Sequence, residues 1–302
     1  MTTQRIALVT GANQGLGLAL VKRLAARMAP RDGVLLTGRD PEAVRTAAAA
    51  LAGGPAVARV EGRVLDVRDG DAIAALAAEL GEVDIVFSNA AARMSPDADP
   101  ADEVDAVAET NNLATTRILR TFAPRLRPGG RLIVVASALG TLDKLDARVA
   151  HRFARAANSL DDVDALVADW RRAVRDGRAE QEGFGTWLNI PSKVAQVAAV
   201  RAAARDRRVQ DLAEDKLVMA LCPGLIDTAA SRPWFEDMSR AQSPAEAAHW
   251  PVELALAGEF DAEFYGELVQ FGRIVPWESG EVAAAARATH TAPVVGHDAP
   301  RR

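Results

Sequence analysis

The chain has 302 residues, is 49% hydrophobic and carries a formal net charge of -5, with 36 Lys and Arg against 41 Asp and Glu. That length and apolar content supply the core of one large α/β domain, and the acidic balance argues against an electrostatic grip on nucleic acid or an anionic membrane, which calls for a basic face. The single cysteine, Cys222, excludes an internal disulfide framework and reads as a small buried side chain; with no secretory leader in "MTTQRIALVTG" and no apolar run of the roughly 20 residues that a bilayer requires, a soluble cytoplasmic protein is expected.

In chain order, short β-branched runs alternate with Ala-rich segments of helical period. "RIALVTG", "GVLLTGR", "EVDIVFSNA", "GRLIVVAS" and "KLVMALCPG" are nearly continuously apolar, which predicts strands buried on both faces. Between them, "LGLALVKRLAARM", "PEAVRTAAAALA", "DAIAALAAEL", "ATTRILRTFAPRL" and "KVAQVAAVRAAARD" repeat apolar residues three and four apart. The alternation predicts an α/β fold, a doubly wound Rossmann-type parallel sheet flanked by helices. Residues 1–280 form one domain on this reading. A charged, largely helical insertion over 141–183 precedes the last of those helices. A loop over 229–250, carrying Pro233, Trp234, Phe235 and Met238, reads as an apolar cover that either packs on the core or acts as a substrate lid. The Ala/Pro-rich residues 281–302 are expected to be a flexible tail.

The first functional signal is "LVTGANQGLGLAL", which sets Gly11, Gly15 and Gly17, with Asn13, Gln14 and Leu16, between the first strand and the first helix. Glycine lets the backbone approach a pyrophosphate while the helix N-terminus offers unpaired N–H groups and the positive end of its dipole. The spacing Gly-x-x-x-Gly-x-Gly after Thr10 resembles the short-chain dehydrogenase/reductase superfamily, and the resemblance runs to about Trp277. Asp66 in "VLDVRD", followed by Val67, is similar to the family's adenine-contacting acid, and Asn89 in "SNAA" stands in its Asn-Asn-Ala-Gly motif. "TNNLAT" supplies Asn111, "VVASALG" supplies Ser137, and "CPGLIDT" (Pro223, Gly224, Ile226, Thr228) matches the loop over the nicotinamide. The insertion is similar to that of monomeric carbonyl reductases, which implies a monomer, since an insert of this kind covers helices that other members pack across a subunit interface.

The second strand ends "LLTGRD". An NAD enzyme needs a carboxylate there for the ribose 2′-hydroxyl, yet Thr37 and Gly38 are followed by Arg39, whose guanidinium fits a 2′-phosphate. NADPH/NADP is therefore the expected cofactor, and no metal is expected.

In the family a tyrosine donates a proton to the substrate carbonyl, a serine orients that oxygen, a lysine lowers the tyrosine pKa and holds the ribose, and an asparagine holds a relay water. Ser137, Lys193 and Asn111 carry over, but in "TWLNIPSK" the residue four before Lys193 is Asn189. A carboxamide donates a hydrogen bond but cannot release a proton. Three readings follow: reduction of an imine that arrives protonated, reduction of an activated C=C or carbonyl with Ser137 and Asn189 as an oxyanion hole, or NADP binding without turnover. The small-molecule pocket is expected around Leu139, Trp187 and Trp234.

Overall fold

Strands that are apolar on both faces need a helix layer on each side, and the chain supplies both. In the computed structural model, which describes residues 4–52 and 58–278, the strands are β1 (Ile6–Val9), β2 (Gly33–Gly38), β3 (Arg59–Val64), β4 (Val83–Ser88), β5 (Leu126–Val135), β6 (Leu217–Cys222), β7 (Leu268–Gln270) and β8 (Arg273–Val275). They form one sheet in the order β3-β2-β1-β4-β5-β6-β7-β8. Neighbours from β3 to β7 pair in parallel. The expected all-parallel sheet is corrected at one edge, where β8 runs antiparallel to β7. A hairpin turn of Phe271 (φ 49°) and Gly272 (φ 73°) joins them, the left-handed pair that the sheet's twist favours.

The three strands missing from the sequence reading have physical reasons for hiding. β3, "RVEGRV", is an edge strand with half-exposed side chains, so charge interrupts its apolar pattern. β7 and β8 are three residues each, too short to show a period.

The helices are α1 (Gly15–Arg27), α2 (Pro41–Ala52), α3 (Gly70–Leu80), α4 (Pro100–Val107), α5 (Ala114–Phe122), α6 (Ala147–Ala156), α7 (Leu160–Arg175), α8 (Asn189–Arg205), α9 (Arg208–Ala213), α10 (Pro244–Ala247) and α11 (His249–Leu256). A wide π turn over Ala108–Leu113 joins α4 to α5. Such turns are rare and frequent at functional sites, and this one carries Asn111. Two helices fill most of the insertion: α6 is capped by Asp146, which accepts from Arg148 N at 2.8 Å, and α7 by Ser159, which accepts from Asp162 N at 3.0 Å. Both pack on α8, and α7 also covers α4 and α5. That is why α8 is buried around most of its circumference, from Pro191 to Ala204.

The segment after β6 is tied down by a bridge between Ile226 and Gln242 and by a 3₁₀ turn over Arg232–Trp234. Trp234 packs on Trp187, ring centroids 5.8 Å apart and planes at 34°. Phe235 stays 46% exposed, so the cover is less fully packed than its apolar residues suggest. The tail over 281–302 lies outside the described residues. Among those described, no helix is long and apolar enough to cross a membrane.

Candidate active site

The strand order reverses between β1 and β4, and in parallel sheets a crevice opens at the carboxyl ends of the strands at such a point. The chain places its motifs along that edge: Gly11 after β1, Arg39 after β2, Asn89 after β4, Ser137 after β5 and Pro223 after β6.

The glycine loop is shaped by close approach. A Cβ on Gly17 would fall 2.5 Å from Gly11 O and 2.8 Å from Ala12 Cα; one on Gly11, at φ 62°, would meet Ala90 Cα at 2.7 Å. Asn89 Nδ2 donates to Thr10 O at 2.9 Å and Gly11 O at 3.2 Å, while Thr10 Oγ1 accepts from Asn89 N at 2.9 Å and Ala90 N at 3.0 Å. Asn89 therefore shapes the loop, its amide being committed to backbone carbonyls. No side chain caps α1 at Gln14 and no acid lies in its first turn, which leaves its N–H groups and dipole to an anion. Leu16 is buried in that turn. A Cβ on Gly15 would lie 3.7 Å from Thr228 Cγ2, so the loop after β6 comes over this turn.

At the end of β2, Thr37 is fully buried and donates its hydroxyl to Val9 O at 3.1 Å. A Cβ on Gly38 would meet Val44 Cγ2 at 3.0 Å and Asn13 Oδ1 at 3.1 Å. Neither position has room to present a carboxylate. Arg39 is exposed and acts on Asp66, whose carboxyl is held below the usual range mainly by Arg68, paired with it at 2.6 Å, with Arg39 a lesser cause. Val67 beside it is buried.

Ser137 follows β5 half-buried, and its Oγ accepts from Leu139 N at 3.2 Å. This turn presses on α8: a Cβ on Gly140 would fall 2.7 Å from Val197 Cγ2 and 3.0 Å from Lys193 O. Lys193 Nζ donates to Gln196 Oε1 at 2.8 Å and to Val135 O at 3.4 Å. Burial pulls its pKa down to about 8, against a smaller opposing influence of Cys222 at the end of β6. Asn111 is brought beside α8, but its amide is committed: Nδ2 donates to Ser192 Oγ at 3.2 Å and Oδ1 accepts from Ala92 N at 2.8 Å. Asn112 Nδ2 adds a bond to Ser192 O at 2.8 Å.

Asn189 opens α8 half-buried, one turn before Lys193. The chain's one tyrosine, Tyr265, is elsewhere: its hydroxyl donates to buried Asp211 at 2.6 Å, and burial followed by that carboxylate pushes its pKa up. Gly266 beside it faces Ala204, about 16 Å along α8 from Lys193 at the helix rise. His249 and His151 are exposed. The loop after β6 has supports that the sequence did not reveal: Gln242 Nε2 donates to Pro223 O at 3.1 Å, and a Cβ on Gly224 would meet the Phe271 ring at 2.8 Å. Trp187 Nε1 is buried without a hydrogen-bond partner among the described residues, and its ring lies against that of Trp234.

The family model for "short chain dehydrogenase" matches residues 5–167. The chain is 30% identical over 288 residues to carbonyl reductase [NADPH] 3 of Mus musculus, covering 90% of this chain and 98% of that one. It is 28% identical over 286 residues to carbonyl reductase [NADPH] 1 of Bos taurus, with 90% and 98% covered. Among solved structures, salutaridine reductase from Papaver somniferum superposes with a TM-score of 0.72 at 20% identity, over 88% of this chain and 99% of that chain. NADPH-bound carbonyl reductase from chicken fatty liver superposes with 0.63 at 19%, over 92% and 100%.

Proposed function

The chain belongs to the short-chain dehydrogenase family, and from that premise we propose that it is an NADPH-dependent reductase whose preferred substrate is a protonated imine. As an NADPH-dependent oxidoreductase it has the company of its carbonyl reductase relatives. On this reading the uncapped N-terminus of α1 would hold the cofactor's pyrophosphate, Lys193 its ribose and Arg39 its 2′-phosphate, and the Pro223–Gly224 loop would cover its nicotinamide, the group that supplies the hydride.

The observation that carries the substrate class is Asn189 one turn before Lys193, with the only phenol of the chain bonded to Asp211 at the far end of α8. Hydride transfer to a neutral carbonyl leaves an alkoxide that must be protonated or strongly stabilised. Transfer to an iminium leaves a neutral amine, and no acid is required. Trp187 and Trp234 give such a cation an aromatic wall. A panel of imines, enones and ketones, assayed by NADPH consumption, is the direct test. The imine rate is expected to fall as pH rises through the substrate's own pKa, because only the protonated form accepts hydride unaided. One observation favours a second reading: Asn189 is half-buried at the start of α8, the helix that packs on the turn following Ser137, so the pair suits an oxyanion hole for an activated C=C or carbonyl.

Arg39→Ala is expected to raise the Kd for NADPH about ten- to a hundredfold, the worth of a charge-assisted pair in a partly solvated site, and to leave NADH binding nearly unchanged. Equal losses for both cofactors in titration would remove Arg39 from the 2′-phosphate site. A monomer is the expected state, supported by α6 and α7 packing on α8 and by α7 packing on α5; a dimer or tetramer in light scattering contradicts it.

A further inference from the structure

Lys193 has a support that its catalytic motif does not contain. Gln196 lies one turn further along the same face of α8 and is 2% exposed. Its Oε1 accepts from Lys193 Nζ at 2.8 Å, its Nε2 donates to Thr115 Oγ1 at 3.3 Å, and Thr115 Oγ1 donates to Asn111 O at 2.6 Å. Thr115 is 2% exposed and Asn111 1%, so the chain of bonds from α8 to the π turn is shielded from bulk water. Every hydrogen in it points away from the lysine. A carboxamide neither releases nor takes up a proton near neutral pH, so the chain fixes orientation without conducting protons.

We propose that Gln196 is a positioning residue for Lys193: its carbonyl oxygen holds the ammonium at the cofactor's ribose, and Thr115 anchors that amide to the Asn111 carbonyl. The inference rests on the ribose placement of the proposed function and not on the class of substrate. The need for such a support follows from the surroundings. Burial favours the neutral amine, and the titratable group acting on Lys193 is Cys222 of β6, whose own thiol burial pushes toward the neutral form. No carboxylate forms an ion pair with Lys193 among the described residues. A hydrogen-bond acceptor aimed at Nζ is then what favours the charged form.

The test uses the full-length protein and the variants Gln196→Leu, Gln196→Glu and Thr115→Val. Lys193 ionisation is followed by pH-dependent labelling with an amine-acylating reagent and mass spectrometry of the Lys193 peptide, and NADPH affinity by cofactor fluorescence across pH. Gln196→Leu is expected to lower the labelling midpoint by about one unit, since a hydrogen bond to a charge is worth about tenfold or more in the protonation constant, and to weaken NADPH about tenfold at pH 8. Thr115→Val is expected to move both the same way by less. Gln196→Glu is expected to raise the midpoint and keep NADPH binding. An unchanged midpoint in Gln196→Leu overturns the proposal, as does Gln196→Glu behaving like Gln196→Leu, which assigns the residue to packing alone. Should Gln196→Leu not fold, the opposite shifts of the other two variants decide. If the wild type binds no NADPH, the proposed function fails, whereas the labelling midpoints still decide the role of Gln196.

Discussion

Asn189→Tyr is expected to raise ketone reduction by about 10²–10⁴-fold, the usual worth of a positioned general acid, while leaving imine reduction unchanged or lower. The expectation rests on what already surrounds position 189. Lys193 follows one helical turn later with its pKa pulled down to about 8 by burial, and the Ser137 turn presses on α8 at Lys193 and Val197. A phenol placed there meets a neighbouring ammonium that lowers its pKa toward neutrality, and a serine hydroxyl at hand to orient a carbonyl. For imines the same phenol adds nothing, because the proton arrives with the substrate, and a phenolate beside the iminium holds that cation in its ground state. Steady-state rates with one ketone and one imine, on both proteins, check it. If ketone reduction does not rise, or if the wild type reduces ketones well and imines not at all, the oxyanion-hole reading replaces the imine reading.

Gly17→Ala is expected to abolish measurable NADPH binding, with an increase in Kd on the order of a hundredfold or more, and to lower the thermal midpoint. Its Cβ would fall 2.5 Å from Gly11 O, 2.6 Å from Asn89 Nδ2 and 2.8 Å from Ala12 Cα. Two of those three are backbone atoms of the cofactor loop, which cannot swing aside as a flexible side chain does. Overpacking of this kind costs about 1–3 kcal/mol in stability, and the strain is relieved where the loop moves, away from the position at which the proposed function has it receive a pyrophosphate. Gly15→Ala is the control. It meets only Thr228 Cγ2 at 3.7 Å, so its penalty is the left-handed backbone at φ 56°, about 1–2 kcal/mol for an L side chain. Thermal unfolding and NADPH titration of both variants separate steric contact from backbone strain. A Gly15→Ala protein that loses NADPH as completely as Gly17→Ala would place the sensitivity in the conformation of the loop and not in its close approach to Ala12 and Asn89.

The fold was legible where a local pattern is forced by burial. The five apolar runs became the central strands β1, β2, β4, β5 and β6 because a strand covered on both faces must be apolar at every position. β3 was hidden by its edge position and β7 and β8 by their length, and the antiparallel closure at β8 depends on the turn at Phe271 and Gly272 rather than on composition. The candidate site divides in the same way. Gly11, Gly15, Gly17, Ser137 and Lys193 could be found because each belongs to a short motif with fixed spacing. Gln196 and Thr115 could not, since 81 residues separate two side chains that meet only when α8 packs on α5.

The sequence by itself therefore determined an α/β chain with a glycine loop before its first helix, an arginine in place of an acid after β2, and an asparagine one turn before the lysine of α8, because these are properties of residue type and spacing within single elements. Only the tertiary structure decided that Asn111 and Asn89 use their amides to hold backbone, that Tyr265 is bonded to Asp211 away from Lys193, and that Gln196 is the acceptor facing Nζ. Those are matters of which distant groups share a buried volume, where each polar atom must find a partner, and spacing along a chain does not encode which partner it finds.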